Sequence, residues 1–362
     1  MASISRETYR MLSADHRVVL LQHGGLDNLR GKTGLAMLRH RSGPIVAVVD
    51  PDHAGSRLEQ ITGIARSVPV VADLDAALVF QPEVAVIGLA PSGGTLPVPL
   101  RRDVVAALRA GLNVASGLHT RLGDDPEFAA ACHADRWIWD LRQEQEGLGV
   151  GQAAAAGLPC RRVLAVGSDM AVGKMSACLE VMAAAERCQR RARFVGTGQA
   201  GILIVGHGVA LDAVRVDYAA GAVEAAVVQA AAGLGPSDLV LIEGQGSLCH
   251  PASTATLPLI RGSQPTDLVL VHRAGQQTLD RVPSVLLPSL KELIAVTEAV
   301  AALARPTGSE LPPQVRAIAL NTARLDEREA VRAVEHLEHT LQMPCTDPVR
   351  WGGESILDAI PS

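Results

Sequence analysis

Short apolar runs alternate with amphipathic stretches through the first half of the chain. The predicted strands are residues 17–22, 45–50, 83–90 and 113–117, and the predicted helices are residues 33–40 and 100–111. Apolar residues follow one another without alternation in these strands, which indicates a parallel sheet covered on both faces. Strand, helix and strand in succession form a βαβ unit, so this half is predicted to be a Rossmann-like domain.

The same alternation starts again after a polar, glycine-bearing stretch at residues 141–160. The predicted strands of the second half are residues 162–167, 238–247, 267–275 and 315–325, and the predicted helices run from Lys174 to about Arg191 and over residues 216–233. Asp326 and Glu329 have the spacing of a capping box at the start of a further helix. We therefore expect two α/β domains, at residues 1–145 and 158–362.

The composition limits how these domains are built and what they bind. The chain has 362 residues and is 48% hydrophobic but only 2% aromatic, so both cores must be assembled mainly from Ala, Val and Leu. The net charge is −5 and no basic run stands out, which argues against a nucleic-acid surface and a polybasic membrane anchor. The Ala-rich helices could pack inside one domain or against a second copy of the chain, and we expect a homo-oligomer.

Cysteine usage and hydropathy indicate the compartment. The six cysteines include no C-x-x-C pair and form no Cys/His cluster with metal-ligand spacing, so they are interpreted as scattered small apolar residues in a reducing compartment. No apolar run approaches the ~18 residues that a membrane span needs. We expect a cytoplasmic protein without a metal site or a membrane partner.

One glycine-rich loop between a predicted strand and a predicted helix is typical of a phosphate site. Gly167-x5-Gly173-Lys174 supplies a curled backbone, a helix N-terminus and a cation. The loop is one residue longer than the common G-x4-G-K form, and Met175 stands where a Ser or Thr would hold magnesium. An ordinary strand-to-helix turn with a solvated lysine is the alternative. The predicted cofactor-binding residues are Gly167, Ser168, Asp169, Met170, Ala171, Val172, Gly173, Lys174, Met175, Ser176 and Asn321, the last at a strand end.

A similar spacing occurs in the first half. Gly25-x5-Gly31-Lys32-Thr33 also follows a strand and keeps the hydroxyl, but the residues between the glycines are bulky and charged. An anion site and a plain loop entering a helix both remain open here. Asp50 is the last residue of the second predicted strand, a position at which an acidic residue can hydrogen-bond a ribose.

A carboxylate follows the apolar strand at residues 238–242. Glu243 would lie at the carboxyl edge of the sheet, beside the loop, where open α/β sheets bind ligands. Such a group can hold a metal directly or through water, or accept a proton. The alternative is a glutamate that caps a turn.

The polar, Ser/Thr-rich stretch at residues 247–267 is typical of a long substrate loop over a sheet edge. His250 in this stretch is a candidate general base or a plain polar surface residue. The predicted catalytic residues are Glu243, His250 and Lys174. Arginines could clamp a carboxylate or be solvated charges, and the predicted substrate-binding residues are Gln199, Gln245, Ser247, Arg261 and Arg273.

The second half resembles the dethiobiotin-synthetase branch of P-loop proteins. That branch has a G-T-D-T-x-V-G-K-T loop and an E-G-A-G strand end, which stand here as "GSDMAVGKM" and "EGQG". The resemblance implies a P-loop NTPase-like parallel sheet after the Rossmann-like one. Met175 departs from the magnesium Thr of that branch, so ATP–magnesium chemistry is disfavoured.

A closer resemblance covers nearly the whole chain. The stretches "GSDMAVGKMSACLE", "RFVGTGQAGI" and "EGQGSLCHPASTATLPLIRGSQPTDLVLVHRAGQ" are similar to the D-glutamate N-acetyltransferase family of the DgcN type. The resemblance implies transfer of an acetyl group from acetyl-CoA to the amine of D-glutamate, a small-molecule substrate. An ATP-dependent ligase or kinase, and a nucleotide-binding regulator without catalysis, remain the alternatives.

Overall fold

A computed structural model of the chain describes residues 12–306 and 312–362. The chain divides into two compact units. Unit 1 comprises the described residues up to Glu144 together with Gln199–Ala213, a segment from the second half of the sequence. Unit 2 comprises Gln145–Gly198 and the described residues from Val214 onward.

Unit 1 is built on a parallel sheet in the order β3-β2-β1-β4-β5-β6. This is the strand order of the Rossmann fold, so the predicted Rossmann-like sheet is confirmed. The elements of the first part of the chain are β1 (Val18–Leu21), α1 (Lys32–His40), β2 (Ile45–Val49), α2 (Leu58–Thr62), β3 (Val70–Val71), α3 (Leu74–Leu78), β4 (Val84–Ile87), α4 (Val98–Arg109), β5 (Asn113–Ser116), α5 (Pro126–Ala131) and β6 (Ile138–Asp140).

Unit 2 is built on a second parallel sheet, in the order β14-β13-β10-β7-β9-β8. A short antiparallel hairpin, β11-β12, accompanies it. The remaining elements, of which α7 belongs to unit 1, are β7 (Arg161–Gly167), α6 (Lys174–Arg187), β8 (Ala192–Val195), α7 (Gln199–Val205), α8 (Val216–Ala230), β9 (Leu239–Ile242), α9 (Thr256–Ser263), β10 (Asp267–Arg273), β11 (Thr278–Leu279), β12 (Val282–Leu286), α10 (Leu290–Ala302), β13 (Gln314–Asn321), α11 (Glu327–Leu341), β14 (Cys345–Thr346), α12 (Pro348–Trp351) and α13 (Glu354–Ala359).

The inner strands of both sheets are buried along most of their length. Every residue of β1, β4 and β9 is buried, which explains why their sequences show continuous apolar runs. The cores consist mainly of Ala, Val, Leu and Ile, as the low aromatic content predicts. The predicted capping box is confirmed, because Asp326 and Glu329 cap α11 reciprocally.

The predicted long loop at residues 247–267 is wrong in its second part, where the chain forms α9. Pro258 lies in the first turn of this helix, where its missing N–H costs no intrahelical bond. Leu259 and Ile260 turn into the core and are almost fully buried. A methyl group on Gly262 would collide with the carbonyl of Ala220 in α8, so this glycine lets α8 and α9 pack closely.

No helix in the described part of the chain is both long enough and apolar enough to cross a membrane.

Candidate functional site

The predicted phosphate loop connects β7 to α6 at the carboxyl edge of the sheet in unit 2. Gly173 precedes α6 with a φ of 112°, a left-handed conformation that favours glycine. Gly173 supplies no side-chain cap, and no described residue accepts a hydrogen bond from the backbone N–H groups of Lys174, Met175 or Ser176. Unpaired N–H groups at a helix N-terminus form a site for an anion.

Lys174 lies inside the loop and is only 6% exposed. Its Nζ donates to the carbonyl of Asp169 at 2.9 Å. Burial lowers the pKa of Lys174 to about 8, although the negative charges of Asp169 and Glu243 act in the opposite direction. The loop therefore holds a cation that has lost most of its hydration.

Two glycines make room for the Lys174 side chain. A methyl group on Gly167 would lie 2.8 Å from Lys174 Nζ, and one on Gly244 would lie 2.7 Å from Lys174 Cδ. The Gly244 methyl would also collide with the carbonyl of Ala165 in β7. The glycine after Glu243 thus allows the lysine to run between two strand ends.

Glu243 follows β9 at the same sheet edge and is 4% exposed. Its Oε2 accepts hydrogen bonds from the backbone N–H groups of Thr197 at 2.8 Å and Gly198 at 3.1 Å. Burial raises the pKa of Glu243 to about 7, with these two hydrogen bonds and the charge of Lys174 opposing the rise. A carboxyl group with this pKa exchanges a proton near neutral pH, as general bases do.

The turn after Glu243 is joined to the phosphate loop by hydrogen bonds. Ser247 Oγ donates to the carbonyl of Ser168 at 2.9 Å. The amide of Gln245 donates to Glu243 Oε1 at 3.3 Å, and the carbonyl of Gln245 accepts from Thr256 at the start of α9. The structure therefore brings Gln245 and Ser247 to the site at which Glu243 and Lys174 lie.

His250 is buried, contrary to the surface alternative. Its Nδ1 accepts a hydrogen bond from the backbone N–H of Ala252 at 3.1 Å, which leaves Nε2 as the other functional nitrogen. His250 lies three residues after Ser247, in the polar turn that follows Glu243.

His272 is a site residue that the sequence reasoning missed. It lies near the end of β10, and its Nδ1 and Ser168 Oγ are 2.8 Å apart. Burial, with a smaller effect of Arg273, lowers the pKa of His272 to about 4, so the ring is neutral and fixes the first loop residue by a hydrogen bond. A polar residue at the end of an otherwise apolar strand was the available signal.

Three predicted ligand-binding residues support the loop backbone or its neighbours. Asn321 Nδ2 donates to the carbonyl of Val172 at 2.8 Å, and Arg273 Nη2 donates to the carbonyl of Ala171 at 3.1 Å.

The third of these residues, Asp169, is itself part of the loop. Its carboxylate accepts a hydrogen bond from the Gln276 side chain at 2.6 Å and one from the backbone N–H of Asp280 at 2.8 Å. These contacts fix the loop shape that presents the N–H groups.

The structure does not bring Arg261 to the loop. It is exposed on the last turn of α9. The residues that follow lead to the amino-terminal edge of the sheet, where Arg162 at the start of β7 donates to the carbonyl of Gln264.

Gln199, another predicted substrate-binding residue, begins α7 and belongs to unit 1, where it packs against Gly117.

Met175 and Ser176 occupy the first turn of α6 and are half-buried. The thioether of Met175 cannot serve as the hydroxyl ligand that magnesium needs, because magnesium prefers oxygen ligands. Among the described residues no group of three or more His, Cys, Asp or Glu side chains is arranged to hold a metal ion.

In unit 1, the space around the start of the helix after the glycine-lysine loop is occupied by a side chain. Methyl groups on Gly34 or Gly88 would collide with the side chain of Gln22, so Gln22 fills the space beside these glycines. The N–H of Gly34, in the first turn of α1, donates to the carbonyl of Gly88 at 2.9 Å. These contacts favour the plain loop that enters a helix over the anion site.

Asp50 is also not available to a ribose. It is fully buried, and its carboxylate accepts from the backbone N–H groups of Gly24 at 2.8 Å and Asp52 at 3.2 Å. Its second oxygen lies 3.2 Å from His53 Nδ1. The Asp50 carboxylate therefore stabilises the backbone at its own edge of the sheet.

These observations define a two-unit α/β protein that pairs a Rossmann-like sheet with a P-loop-type sheet. Residues 51–144 match the Rossmann-like domain described as DUF1611_N, a domain of unknown function. Residues 149–357 match the P-loop domain described as DUF1611_C, also a domain of unknown function. The chain belongs to the DUF1611 family.

Two named relatives and one crystal structure are similar to this chain over most of its length. The chain is 35% identical over 319 residues to a D-glutamate N-acetyltransferase of Tritonibacter scottomollicae, which covers 86% of this chain and 90% of the relative. It is 33% identical over 274 residues to a D-glutamate N-acetyltransferase of a Pseudoalteromonas species, covering 75% and 79%. The crystal structure of a DUF1611 family protein from Anabaena variabilis has a TM-score of 0.88 and 50% identity, covering 95% of this chain and 99% of that one.

Proposed function

We propose that the protein is an N-acetyltransferase that moves an acetyl group from acetyl-CoA to the amino group of D-glutamate. The observation that carries this proposal is the arrangement of the unit 2 loop. It offers unpaired N–H groups and Lys174 to a phosphate, lacks a magnesium hydroxyl at Met175, and lies beside a carboxyl group with a pKa of about 7. The two named relatives support the choice of reaction and substrate.

Binding of CoA needs an anion site but no phosphoryl transfer. CoA carries a pyrophosphate and a 3′-phosphate, and the N–H groups at the start of α6 fit one such group without a metal. Lys174 adds a full positive charge at the same place. A loop that binds phosphate without cleaving it explains why Met175 is tolerated.

Acetyl transfer requires that the substrate ammonium lose a proton before its nitrogen attacks the thioester carbon. Glu243 is the base in this proposal, because its carboxylate is ionised above about pH 7 and is fixed by two backbone N–H groups. The N–C bond forms first and gives a tetrahedral adduct, the C–S bond of this adduct then breaks, and the thiolate of CoA leaves and takes up the second proton that the nitrogen loses. His250 Nε2 is the second candidate for this proton transfer.

The carbonyl oxygen of the thioester becomes negatively charged during attack and needs hydrogen-bond donors. The backbone N–H of Ser247 is engaged by Ser253 Oγ at 3.2 Å. The N–H groups of Gln245 and Gly246 have no acceptor among the described residues. These two groups, beside the carboxylate, are the proposed donors to the oxyanion.

Arg273 is the cation that we assign to the substrate carboxylates, since Arg261 lies elsewhere. Its guanidinium donates to the carbonyl of Ala171 and lies 3.3 Å from Asp280. The remaining donors of this guanidinium can reach a carboxylate that enters beside the loop.

An ATP-dependent ligase is the second candidate, favoured by the Glu243 strand end and the loop spacing. The two candidates are separated by supplying acetyl-CoA or ATP–magnesium with D-glutamate and following thiol and ADP release. Thiol release with formation of N-acetyl-D-glutamate supports the acetyltransferase. ADP release that depends on the amino acid, without thiol release, overturns it.

A further inference from the structure

Unit 1 contains a pocket of about 460 Å³ that the proposed function does not use. Its apolar walls are formed by Leu89 and four prolines, and its polar lining groups are His23, Arg30 and Asp52. This volume is within the range of small-molecule sites, which are mostly apolar with a few placed polar groups.

The pocket lies at the point in the sheet where the strand order reverses. His23 follows β1, Asp52 follows β2, and Leu89 follows β4, and β1 lies between β2 and β4 in the sheet. The strands that follow β1 in the chain therefore lie on both sides of it, with β2 and β3 on one side and β4, β5 and β6 on the other. Open α/β sheets bind their ligands in the crevice at such a switch point.

Two features of this edge argue against a dinucleotide. Gln22 fills the space beside Gly34, in the first turn of α1, and beside Gly88. The buried carboxylate of Asp50, in the ribose-binding position, is bonded to the backbone of its own edge. Both features favour a ligand without a pyrophosphate.

Opposite charges lie near each other in the pocket without pairing. A methyl group on Gly24 would be 2.5 Å from Asp52 Oδ2 and 3.6 Å from Arg30 Nη2, so both groups lie on one side of this glycine. Within the described chain, neither the guanidinium of Arg30 nor the carboxylate of Asp52 makes an ion pair or a side-chain hydrogen bond. A ligand with both charges would bridge them.

The histidine of the pocket already has a partner. His23 Nε2 donates to Asp103 Oδ2 at 2.6 Å, and both side chains are mostly buried. His23 also has a φ of 38°, a conformation that costs energy for a residue with a side chain. Arg30 and Asp52 are thus the charges that remain for a ligand.

We propose that this pocket binds a zwitterionic α-amino acid with an apolar side chain. The α-carboxylate accepts hydrogen bonds from Arg30, whose planar guanidinium matches a carboxylate. The α-ammonium donates to Asp52, and the side chain packs against Leu89 and the prolines. This site goes beyond the proposed function, since it requires neither acetyl-CoA nor the loop of unit 2.

Isothermal titration of the full chain with leucine, as both enantiomers, tests the proposal. The analogues 4-methylpentanoate and 3-methylbutylamine each lack one of the two charges of leucine. We expect one enantiomer of leucine to bind, and each analogue to bind at least about tenfold more weakly, because it leaves one charged partner unmatched.

Substitutions of the two charged residues locate the binding. Arg30→Gln and Asp52→Asn are expected to weaken leucine binding by about tenfold or more. Arg39→Gln and Asp75→Asn are the matched controls, since both residues are exposed in unit 1 outside the pocket lining, and they should leave binding unchanged. All four positions are exposed, and a thermal melt verifies that each variant folds.

If neither enantiomer of leucine binds, the proposal is overturned. Equal affinity for an analogue, or unchanged affinity in both Arg30→Gln and Asp52→Asn, also overturns it. Acetylation of D-glutamate is measured separately, so a failure here is distinguishable from a failure of the proposed function.

Discussion

The backbone N–H of Thr197 donates to Glu243 Oε2 at 2.8 Å and so joins the chain after β8 to the carboxylate that follows β9. The N–H of Gly198 donates to the same oxygen at 3.1 Å. Glu243 makes no ion pair with Lys174 within the described structure, although each charge affects the pKa of the other. The carboxylate is therefore held by two backbone N–H groups and by the amide of Gln245.

The rate of acetyl transfer should depend on pH in two separable ways. kcat should rise as pH passes about 7, because Glu243 must lose its proton to act as a base. KM for acetyl-CoA should rise as pH passes about 8, because Lys174 loses its charge there. Steady-state kinetics between about pH 5 and about pH 9 separate the two effects. A kcat that does not change across neutral pH contradicts the role of Glu243.

Glu243→Gln should stabilise the fold at high pH. Burial raises the pKa of Glu243 from 4.5 to about 7, so the folded state holds this proton more tightly than the unfolded chain. That contribution to stability is fully present below about pH 4.5 and is lost as pH rises through about 7. The melting temperature of the variant relative to the native protein should therefore increase between these pH values.

Glu186→Gln, at an exposed position on α6, provides the control for that measurement. Its melting temperature relative to the native protein should not follow the Glu243→Gln curve. If Glu243→Gln lowers the melting temperature equally at low and high pH, the burial of an ionisable carboxyl does not govern stability here.

Lys174→Met should weaken binding of acetyl-CoA by about 1.5–3 kcal/mol, the usual cost of losing a charge-assisted hydrogen bond. The substitution keeps much of the apolar stem that packs beside Gly167 and Gly244. Lys291→Met changes an exposed lysine on α10 and should have no effect. Direct titration with CoA measures both variants, and equal affinity in the two would remove the loop from the cofactor site.

Gly244→Ala should destabilise the protein by about 1–3 kcal/mol, the usual cost of overpacking a core. The added methyl would collide with the backbone carbonyl of Ala165 and lie 2.7 Å from Lys174 Cδ. Gly157→Ala is the control, because that methyl would meet no atom within 4 Å. Urea unfolding gives the free energy of unfolding of both variants. Equal values would show that the space around the Lys174 side chain is not tightly packed.

The parallel sheets could be predicted from the sequence because their strands are buried on both faces and leave continuous apolar runs. The loop before Lys174 could be predicted from its glycine and lysine spacing together with its position between a predicted strand and a predicted helix. The helix α9 could not, since Pro258 and the Ser/Thr-rich residues before it have the composition of a loop. Leu259 and Ile260 are buried in this helix, and tertiary packing of this kind overrides local propensity.

The individual roles of polar residues were the least predictable part of the site. Asn321 and Arg273 lie at the loop, as expected from their strand ends, but they hydrogen-bond its carbonyl groups. Arg261 is carried away from the site by α9. Spacing along the chain cannot show which of several polar groups at one sheet edge bind each other, because that depends on three-dimensional register.

The most direct test of the account compares product formation by the native protein and Glu243→Gln with acetyl-CoA and D-glutamate at about pH 8. We expect the native protein to release CoA and form N-acetyl-D-glutamate, identified by mass. The variant should keep its affinity for CoA but lose at least about a hundredfold in kcat, the usual contribution of a general base. Native-like turnover in the variant, or no acetylated product from the native protein, would contradict the account.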